Sequence, residues 1–404
     1  MTAPGAAAGR RGLPPILLDE GLRLLFPVAA VHGALWPLLW TLVYAFALPF
    51  AHDIPTSQWH AHEMIFGTYG MALAGFLTTA VPEWTDTPRR RGNALLLLVW
   101  LWLPGRLVGL VGADALNAIA GLADTAFLLV LTWYVAKPLL DRRSSKHLSF
   151  PVWCVLFAAT EVAIRLAWLA GDYELAGRLL GIALAVFLVF FSLSVARINV
   201  TVINLALDPS GETTPYRPHP GRQNLAAGLV TLYIAAALCL PDSAAAAYLA
   251  LAAGAAFLDR LAEWFIGRPV LRAEVLGLLA ANLMAGLGFL AIGVAGLGAP
   301  VAVSTGQHLL SMGALGLAVI SVFIIAGLRH TGRPLDLPPQ AHWALVLMLC
   351  AALVRTLPEL GIGEALLGLH YALGAVLWAL AFAVWLHGFL PYFLAPSLEE
   401  TAPQ

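Results

Sequence analysis

Long apolar segments separated by short polar turns follow one another along nearly the whole chain. Each is about 19 to 30 residues long, enough for a helix to cross about 30 Å of hydrocarbon. The segments are continuously apolar and rich in Leu and Ala, whereas the strands of a membrane barrel alternate apolar and polar positions. The pattern predicts an all-α polytopic membrane bundle of about twelve transmembrane helices. The predicted spans lie near residues 22–48, 59–82, 93–111, 115–138, 149–170, 174–205, 222–240, 243–266, 272–296, 301–328, 340–358 and 364–394.

Composition agrees with this assignment. Of the 404 residues, 60% are hydrophobic and only 11% are charged, a balance that a soluble domain would not tolerate on its surface. The three cysteines Cys154, Cys239 and Cys350 lie singly within predicted spans, and no CxxC spacing could clamp a metal. We therefore expect a single integral membrane domain at 22–396, between a disordered cytoplasmic N-terminus at 1–21 and a cytoplasmic tail at 397–404.

Basic residues predict the orientation in the membrane. They lie in the N-terminus or in every second loop: Arg10, Arg11, Arg23, Arg89, Arg90, Arg91, Lys137, Arg142, Arg143, Lys146, Arg217, Arg222, Arg268, Arg272, Arg329 and Arg333. By the positive-inside rule, both termini are cytoplasmic and the region of His52, His60 and His62 is on the outer side of a bacterial inner membrane.

Two predicted helices repeat one set of intervals at a separation of 246 residues. The repeat pairs His62 with His308, Gly67 with Gly313, Gly70 with Gly316, Thr85 with Thr331, and Pro88 with Pro334. Both helices run in the same direction, so the repeat is parallel, with a pseudo-axis along the membrane normal. We expect the two helices to pack near one another, with the four glycines allowing close approach.

The repeat places two histidines at one membrane depth, where an ionisable residue usually serves a function. His60 and His62, in the segment WHAHEMIFG, point about 200° apart on a regular helix, so both cannot ligate one metal. We expect His62 and His308 to ligate a haem, with His60 as a second metal ligand or a copper ligand. Imidazole suits haem iron and copper equally, and the segment could alternatively be only a helix N-terminus in the aromatic belt.

Arginines occur in the same predicted layer. Arg106, Arg165, Arg178 and Arg355 all fall toward the outer ends of their spans. We expect Arg106 or Arg355 to neutralise haem propionates, because a guanidinium binds carboxylates in a bidentate manner. The alternatives are snorkelling to lipid head groups and pairing within a helix, as between Glu161 and Arg165.

Several of these segments together resemble the NnrS family of multi-pass membrane proteins. They are WHAHEMIFG, TAVPEWTDTP, PGRLVGL, and the stretch from His308 through SMGALG to HTGRPL. The resemblance implies haem and copper binding and protection of denitrifying and pathogenic bacteria from nitric oxide. It makes His60, His62 and His308 the ligand candidates and places Arg106 and Arg197 on family arginine positions.

The chain also departs from the family pattern. A family histidine is absent from LLAANLM, near Leu279 and Asn282, and a family arginine is replaced near Ile325. These departures weaken the case for copper more than that for haem. The chain is also similar to haem–copper oxidase subunits, whose second and tenth spans carry haem-ligating histidines. The sixth and seventh spans here contain no histidine, which argues against an oxygen-reducing centre.

The sequence therefore predicts a membrane haem protein that binds nitric oxide and acts in nitrosative stress or denitrification, with the lipid bilayer as its surroundings and no nucleic-acid partner. Whether it catalyses a reaction stays open. One alternative is a cofactor-free solute or proton transporter, in which Arg106, Asp124 and Glu161 line a path. The other is an assembly or partner subunit of a respiratory complex.

Overall fold

The computed structural model describes residues 15–46, 54–111, 114–143 and 147–398. These residues form twelve long helices and no strand. The helices are α1 (Gly21–Phe46), α2 (Thr56–Thr85), α3 (Asn93–Val111), α4 (Asn117–Asp141), α5 (Ser149–Leu169), α6 (Tyr173–Leu207), α7 (Pro220–Cys239), α8 (Ala245–Asp259), α9 (Ala273–Gly296), α10 (Val303–Arg329), α11 (Pro339–Thr356) and α12 (Leu369–Phe393).

The predicted polytopic all-α membrane bundle is confirmed. Eleven helices of the described residues are long and apolar enough to cross a membrane. The twelfth, α7, begins with the polar residues Arg222, Gln223 and Asn224, so its mean hydropathy is lower. The last helix begins at Leu369 rather than near 364, because Gly368 has a φ of 87°. The three-domain division stays a prediction, since residues 1–14 and 399–404, like His52 and Asp53, lie outside the described residues.

The backbone of α2 and α10 deviates from α-helical geometry at the same place in each copy of the repeat. In α2, the α-helical turns Thr56–His62 are followed by a π-helical segment, Glu63–Tyr69. In α10, Val303–His308 is followed by the π-helical segment Leu309–Gly316. Each π segment begins directly after the repeated histidine. Because π-helical turns are rare and are often found at functional sites, their recurrence supports a true duplication.

The two helices also end alike. Asp86 and Gly332, which are equivalent in the repeat, both adopt left-handed conformations, with φ of 48° and 70°. The following amide then bonds to a carbonyl five residues earlier: Thr87 N lies 3.0 Å from Pro82 O, and Arg333 N lies 2.9 Å from Leu328 O. This bonding pattern satisfies carbonyls that a helix terminus leaves unpaired. The predicted parallel repeat is thereby confirmed at the level of the backbone.

Three helices, spaced four apart in the chain, form the centre of the bundle. The most apolar stretches of α2, α6 and α10 are 89%, 78% and 72% buried, whereas none of the other eight apolar spans exceeds 61%. All three central helices run in the same direction. We call the end where they begin the histidine end, and the end with the basic turns after α2 and α10 the arginine end.

The expected role of the four repeated glycines is wrong. A Cβ at Gly67 would lie 2.6 Å from His32 Cε1, and one at Gly316 would lie 2.6 Å from Trp378 Cζ3. Gly70 and Gly313 similarly face Phe127 and Met284. The glycines therefore admit side chains of α1, α12, α4 and α9 rather than bringing α2 and α10 together. A direct contact between the two π segments is a hydrogen bond of 2.5 Å from Tyr69 Oη to Ser311 O.

Candidate functional site

A cavity of about 540 Å³, here called the histidine cavity, opens between α2, α6 and α10 at the histidine end. α1, α11 and α12 complete its wall. The polar and aromatic residues lining it include Trp40, Tyr44, Gln58, His60, Tyr69, Gln307, His308, Ser311, Arg355, Tyr371 and Trp378. This volume falls in the range of about 300–1,000 Å³ that small-molecule and cofactor sites occupy.

His308 presents one ring nitrogen to this cavity. Its Nδ1 lies 2.7 Å from the carbonyl oxygen of Ser304, one turn earlier in α10. Because a carbonyl can only accept, Nδ1 carries the proton and Nε2 keeps its lone pair. Nε2 makes no hydrogen bond with any described residue. Metal-ligating histidines usually have this arrangement, in which a backbone carbonyl fixes the tautomer and the ring orientation.

His60 lies on the same cavity, in the first turns of α2. Its ring packs on the indole of Trp40, with ring centroids 4.6 Å apart. Its Nδ1 is buried and has no hydrogen-bond partner among the described residues. A buried polar atom without a partner carries a free-energy cost, and sites that bind a ligand are one place where that cost persists. The structure thus brings His60 and His308, from α2 and α10, to one cavity.

Arg355 is held at the cavity wall by neighbours from α10 and α12. Its side chain is buried, and its Nη1 donates to Glu359 Oε1 at 2.7 Å. The guanidinium lies over the Tyr371 ring, 4.6 Å from the centroid. Glu359 also accepts from Thr305 Oγ1 at 2.6 Å and lies 3.4 Å from His370 Nε2. These contacts fix one positive charge where a bound acidic group could meet it.

His62 points to the other side of α2, into a group of buried ionisable residues that we call the charge cluster. Its members are His32, His62, Glu63, Arg106, Asp124, Glu161 and Arg165, contributed by α1 to α5. His62 Nε2 lies 2.7 Å from Glu161 Oε2, and Nδ1 lies 3.4 Å from Glu63 Oε1. Since carboxylates face both ring nitrogens, neither nitrogen has a lone pair free for iron.

Arginines balance the carboxylates of the charge cluster. Arg165 Nη2 lies 2.7 Å from Asp124 Oδ2, and its Nε lies 2.7 Å from Glu161 Oε1. Arg106 bridges Glu63 at 2.5 Å and Asp124 at 2.8 Å. Three carboxylates therefore meet two guanidinium groups, and a protonated His62 makes the cluster neutral. Such mutual pairing is what allows charges to remain buried.

Ligand atoms of His62, Asp124 and Glu161 lie within 4.8 Å of one another, a spacing that a metal ion would require. Arg165, however, already bonds to both carboxylates. A divalent cation would have to displace this guanidinium, and a metal that leaves an arginine unpaired in the interior gains little. The geometry therefore favours a structural ion-pair network over a metal centre at this position.

The residues predicted for the site are divided between these two places. His60, His308 and Arg355 line the histidine cavity, whereas His62, Arg106 and Arg165 belong to the charge cluster. Arg178 is exposed. Sequence reasoning did not identify Tyr69, Gln307 and Tyr371 as cavity residues. Tyr69 lies one residue before the repeated Gly70, but its neighbours on α6 and α10 are remote in sequence.

Comparison with known families decides the identity of the chain. The model of the family described as NnrS protein matches residues 16–397. The chain belongs to the NnrS family. No curated protein matches the chain. Membership of the NnrS family confirms the resemblance seen in WHAHEMIFG and the HTGRPL turn. It fits a nitric-oxide-related protein that crosses the membrane many times. Asn282, which lies near the place of the family histidine that this chain lacks, donates from Nδ2 to the carbonyl of Phe257 at 2.6 Å.

Proposed function

We propose that this NnrS protein is a haem protein of the bacterial inner membrane that binds nitric oxide in the histidine cavity. The observation that carries the proposal is the convergence of His60 and His308 on one cavity. These residues replace the pair His62 and His308 that the sequence repeat suggests, because both nitrogens of His62 face carboxylates. In this proposal His62 and Arg106 lie in the charge cluster on the other side of α2 and support the site by holding that helix in place.

The residues of the histidine cavity fit a haem in donor type, volume and charge. His308 Nε2 would hold the iron, and His60 would be a second or displaceable ligand. Arg355 is placed to pair with a propionate, because it is already ordered by Glu359 and Tyr371. Trp40, Tyr371 and Trp378 supply aromatic walls that exclude lipid and water. When bound, haem iron supplies the position at which nitric oxide coordinates.

A second, smaller cavity supports nitric oxide as the ligand. It has a volume of about 60 Å³ and lies between α2, α6 and α10, one turn beyond the histidine cavity. Except for Ser194, its lining is apolar, including Ala72, Phe187 and Leu315. Small apolar cavities stay dry and accept small uncharged molecules. Tyr69, whose hydroxyl donates to Ser311 O, lines the histidine cavity one turn before Ala72 and Leu73 line the smaller one.

Copper binding at His60 is a separate proposal. Copper and haem would both require His60. The thioether sulfurs on the cavity wall belong to Met64 and Met312. Thioether sulfur favours Cu(I). A role in nitrosative stress or denitrification follows from the family resemblance, and the orientation with both termini in the cytoplasm follows from the positive-inside rule.

The test is the visible absorption spectrum of the purified protein and its variants, before and after anaerobic addition of nitric oxide. We expect a Soret band in the wild type that shifts with nitric oxide. His308→Ala and His60→Ala should abolish or shift the band, because each removes an iron ligand. His342→Ala is the matched control, since His342 is exposed and lies outside the cavity.

His62→Gln separates this proposal from the pairing suggested by the repeat. The band should persist in that variant, although the protein will be less stable. If His62→Gln removes the band while His60→Ala leaves it unchanged, the ligand assignment made here is overturned. A wild-type protein that takes up no haem would favour the cofactor-free transporter.

A further inference from the structure

A third and larger cavity, of about 690 Å³, lies at the opposite end of the three central helices. We call it the arginine cavity. Five arginines line it, together with three carboxylates and one histidine: Arg23, Arg89, Arg91, Arg197, Arg329, Asp19, Glu20, Glu83 and His330. Nothing in the proposed haem site involves these residues. Because five guanidinium groups face three carboxylates, the cavity has an excess of positive charge.

Two of the three carboxylates of this cavity, Glu20 and Glu83, pair with a single arginine. Arg89 Nη1 lies 3.2 Å from Glu20 Oε1, and its Nη2 lies 3.4 Å from Glu83 Oε1. His330 Nδ1 adds a contact of 2.9 Å to Glu20. By contrast, Arg91 and Arg329 form no ion pair with any described residue. The excess charge is therefore not cancelled within the described part of the cavity.

Arg197 is the most firmly positioned of these arginines. It projects from the central helix α6, where its guanidinium lies 4.9 Å from the Phe150 centroid and 5.6 Å from that of Trp84. Its Nη1 donates to Leu193 O at 2.7 Å, and its Nη2 lies 3.2 Å from His147 Nδ1. Of the five N–H donors on a guanidinium, these contacts use two. The centroids of these two rings lie 4.9 Å apart, so the guanidinium packs against a pair of neighbouring rings. An arginine that only reached for lipid head groups would not need this packing.

We propose that the arginine cavity binds a phosphate group. The guanidinium groups offered to it come from separate parts of the fold: Arg91 from the turn after α2, Arg197 from α6 and Arg329 from α10. Arg23 Nη1 instead donates to Phe393 O and Ala395 O at 3.1 and 2.8 Å. Guanidinium donors on several walls of one cavity suit an anion with several oxygens, and a guanidinium binds phosphate oxygens in a bidentate manner. The group could belong to a soluble phosphate or to an anionic phospholipid.

The far wall of the arginine cavity adds an apolar surface to the phosphate site. Phe26, Phe76 and Val322 line both this cavity and the 60 Å³ apolar cavity. An apolar part of the ligand therefore has a continuous surface on which to pack. This inference does not depend on haem binding and would survive the failure of the proposed function.

The experiment measures phosphate binding directly. Inorganic phosphate is titrated calorimetrically into lipid-depleted wild-type protein in a neutral detergent, at constant ionic strength. In a parallel arm, the protein is placed in nanodiscs of phosphatidylcholine and phosphatidylglycerol at about 9:1, and the retained phosphatidylglycerol is quantified after repurification. Saturable phosphate binding identifies a soluble ligand, and selective retention of phosphatidylglycerol identifies a lipid.

Arg197→Gln should weaken either signal about tenfold or more, and Arg197→Lys should restore only part of it, because an ammonium lacks the guanidinium fork. Arg178→Gln is the matched control, since Arg178 lies on the same helix, is exposed, and is remote from the cavity. If Arg197→Gln does not fold, Arg329→Gln at the exposed rim replaces it. The proposal is overturned if neither arm shows binding, or if the cavity variants bind as the wild type does.

Discussion

At the scale of single residues, the surroundings of a histidine depend on which side of α2 it faces. His60 and His62 are two positions apart, so a helix directs them to nearly opposite sides. His60 meets the histidine cavity and His62 meets the carboxylates of Glu63 and Glu161. Helical geometry predicted that the two would separate. It did not predict which of them would share a cavity with His308, because that depends on the neighbours of α2.

Glu161 pairs with both His62 and Arg165, so substituting it gives the clearest prediction about stability. Glu161→Gln should lower the free energy of unfolding by about 3–5 kcal/mol, because it removes the carboxylate that pairs with both His62 and Arg165 and leaves Arg165 with Asp124 alone. Thermal unfolding in detergent provides the measurement. Glu174→Gln, at an exposed position on α6, should change stability little. Equal stability of the two variants would show that the charge cluster is not a structural network.

At the scale of elements, the duplication lies in the backbone as well as in the sequence. The π segments after His62 and His308, and the left-handed residues at 86 and 332, recur at the same offset. The spacing of residues predicted the repeat, but π-helical geometry has no simple sequence pattern. The glycines were assigned to the wrong contacts for a related reason. Small residues show where helices approach closely, and they do not specify the partner.

The contacts of the glycines lead to a paired prediction. Gly316→Ala should destabilise the protein by about 1–3 kcal/mol, because its Cβ would lie 2.6 Å from Trp378 and 2.9 Å from Met348 Sδ. Gly228→Ala, on α7, has no atom within 4 Å of the new Cβ and should stabilise by up to about 1 kcal/mol through helix propensity. Melting temperatures of both variants check this. A shift of the same sign in both would contradict the packing described here.

At the scale of the whole molecule, the three central helices carry three cavities at successive levels. Along α10, residues 304–312 line the histidine cavity, 315–323 line the small apolar cavity, and 322–329 line the arginine cavity. α2 and α6 follow the same order. The predicted metal chemistry and the excess of arginines are thus placed at opposite ends of one apolar core.

The orientation is tested with single cysteines in a cysteine-free background. Glu364→Cys, in the turn between α11 and α12, should react with a membrane-impermeant maleimide from outside intact cells. Pro215→Cys, in the loop after α6, should react only after permeabilisation, because basic loops remain in the cytoplasm. Labelling of position 215 in intact cells would show that the protein has the opposite orientation in the membrane. It would also place the arginine cavity on the outer side.

The sequence alone determined the helical membrane fold, the repeat and the family. These properties depend on local hydropathy and spacing, since a span must satisfy its own backbone in lipid. Only the tertiary structure decided that His60 rather than His62 shares a cavity with His308, that Arg355 but not Arg106 lines the histidine cavity, and that Arg197 lines the arginine cavity. Each of these outcomes depends on how a helix is rotated against its neighbours. In a bilayer that rotation is set by packing and by polar contacts between helices distant in sequence, because lipid and protein interior are similarly apolar.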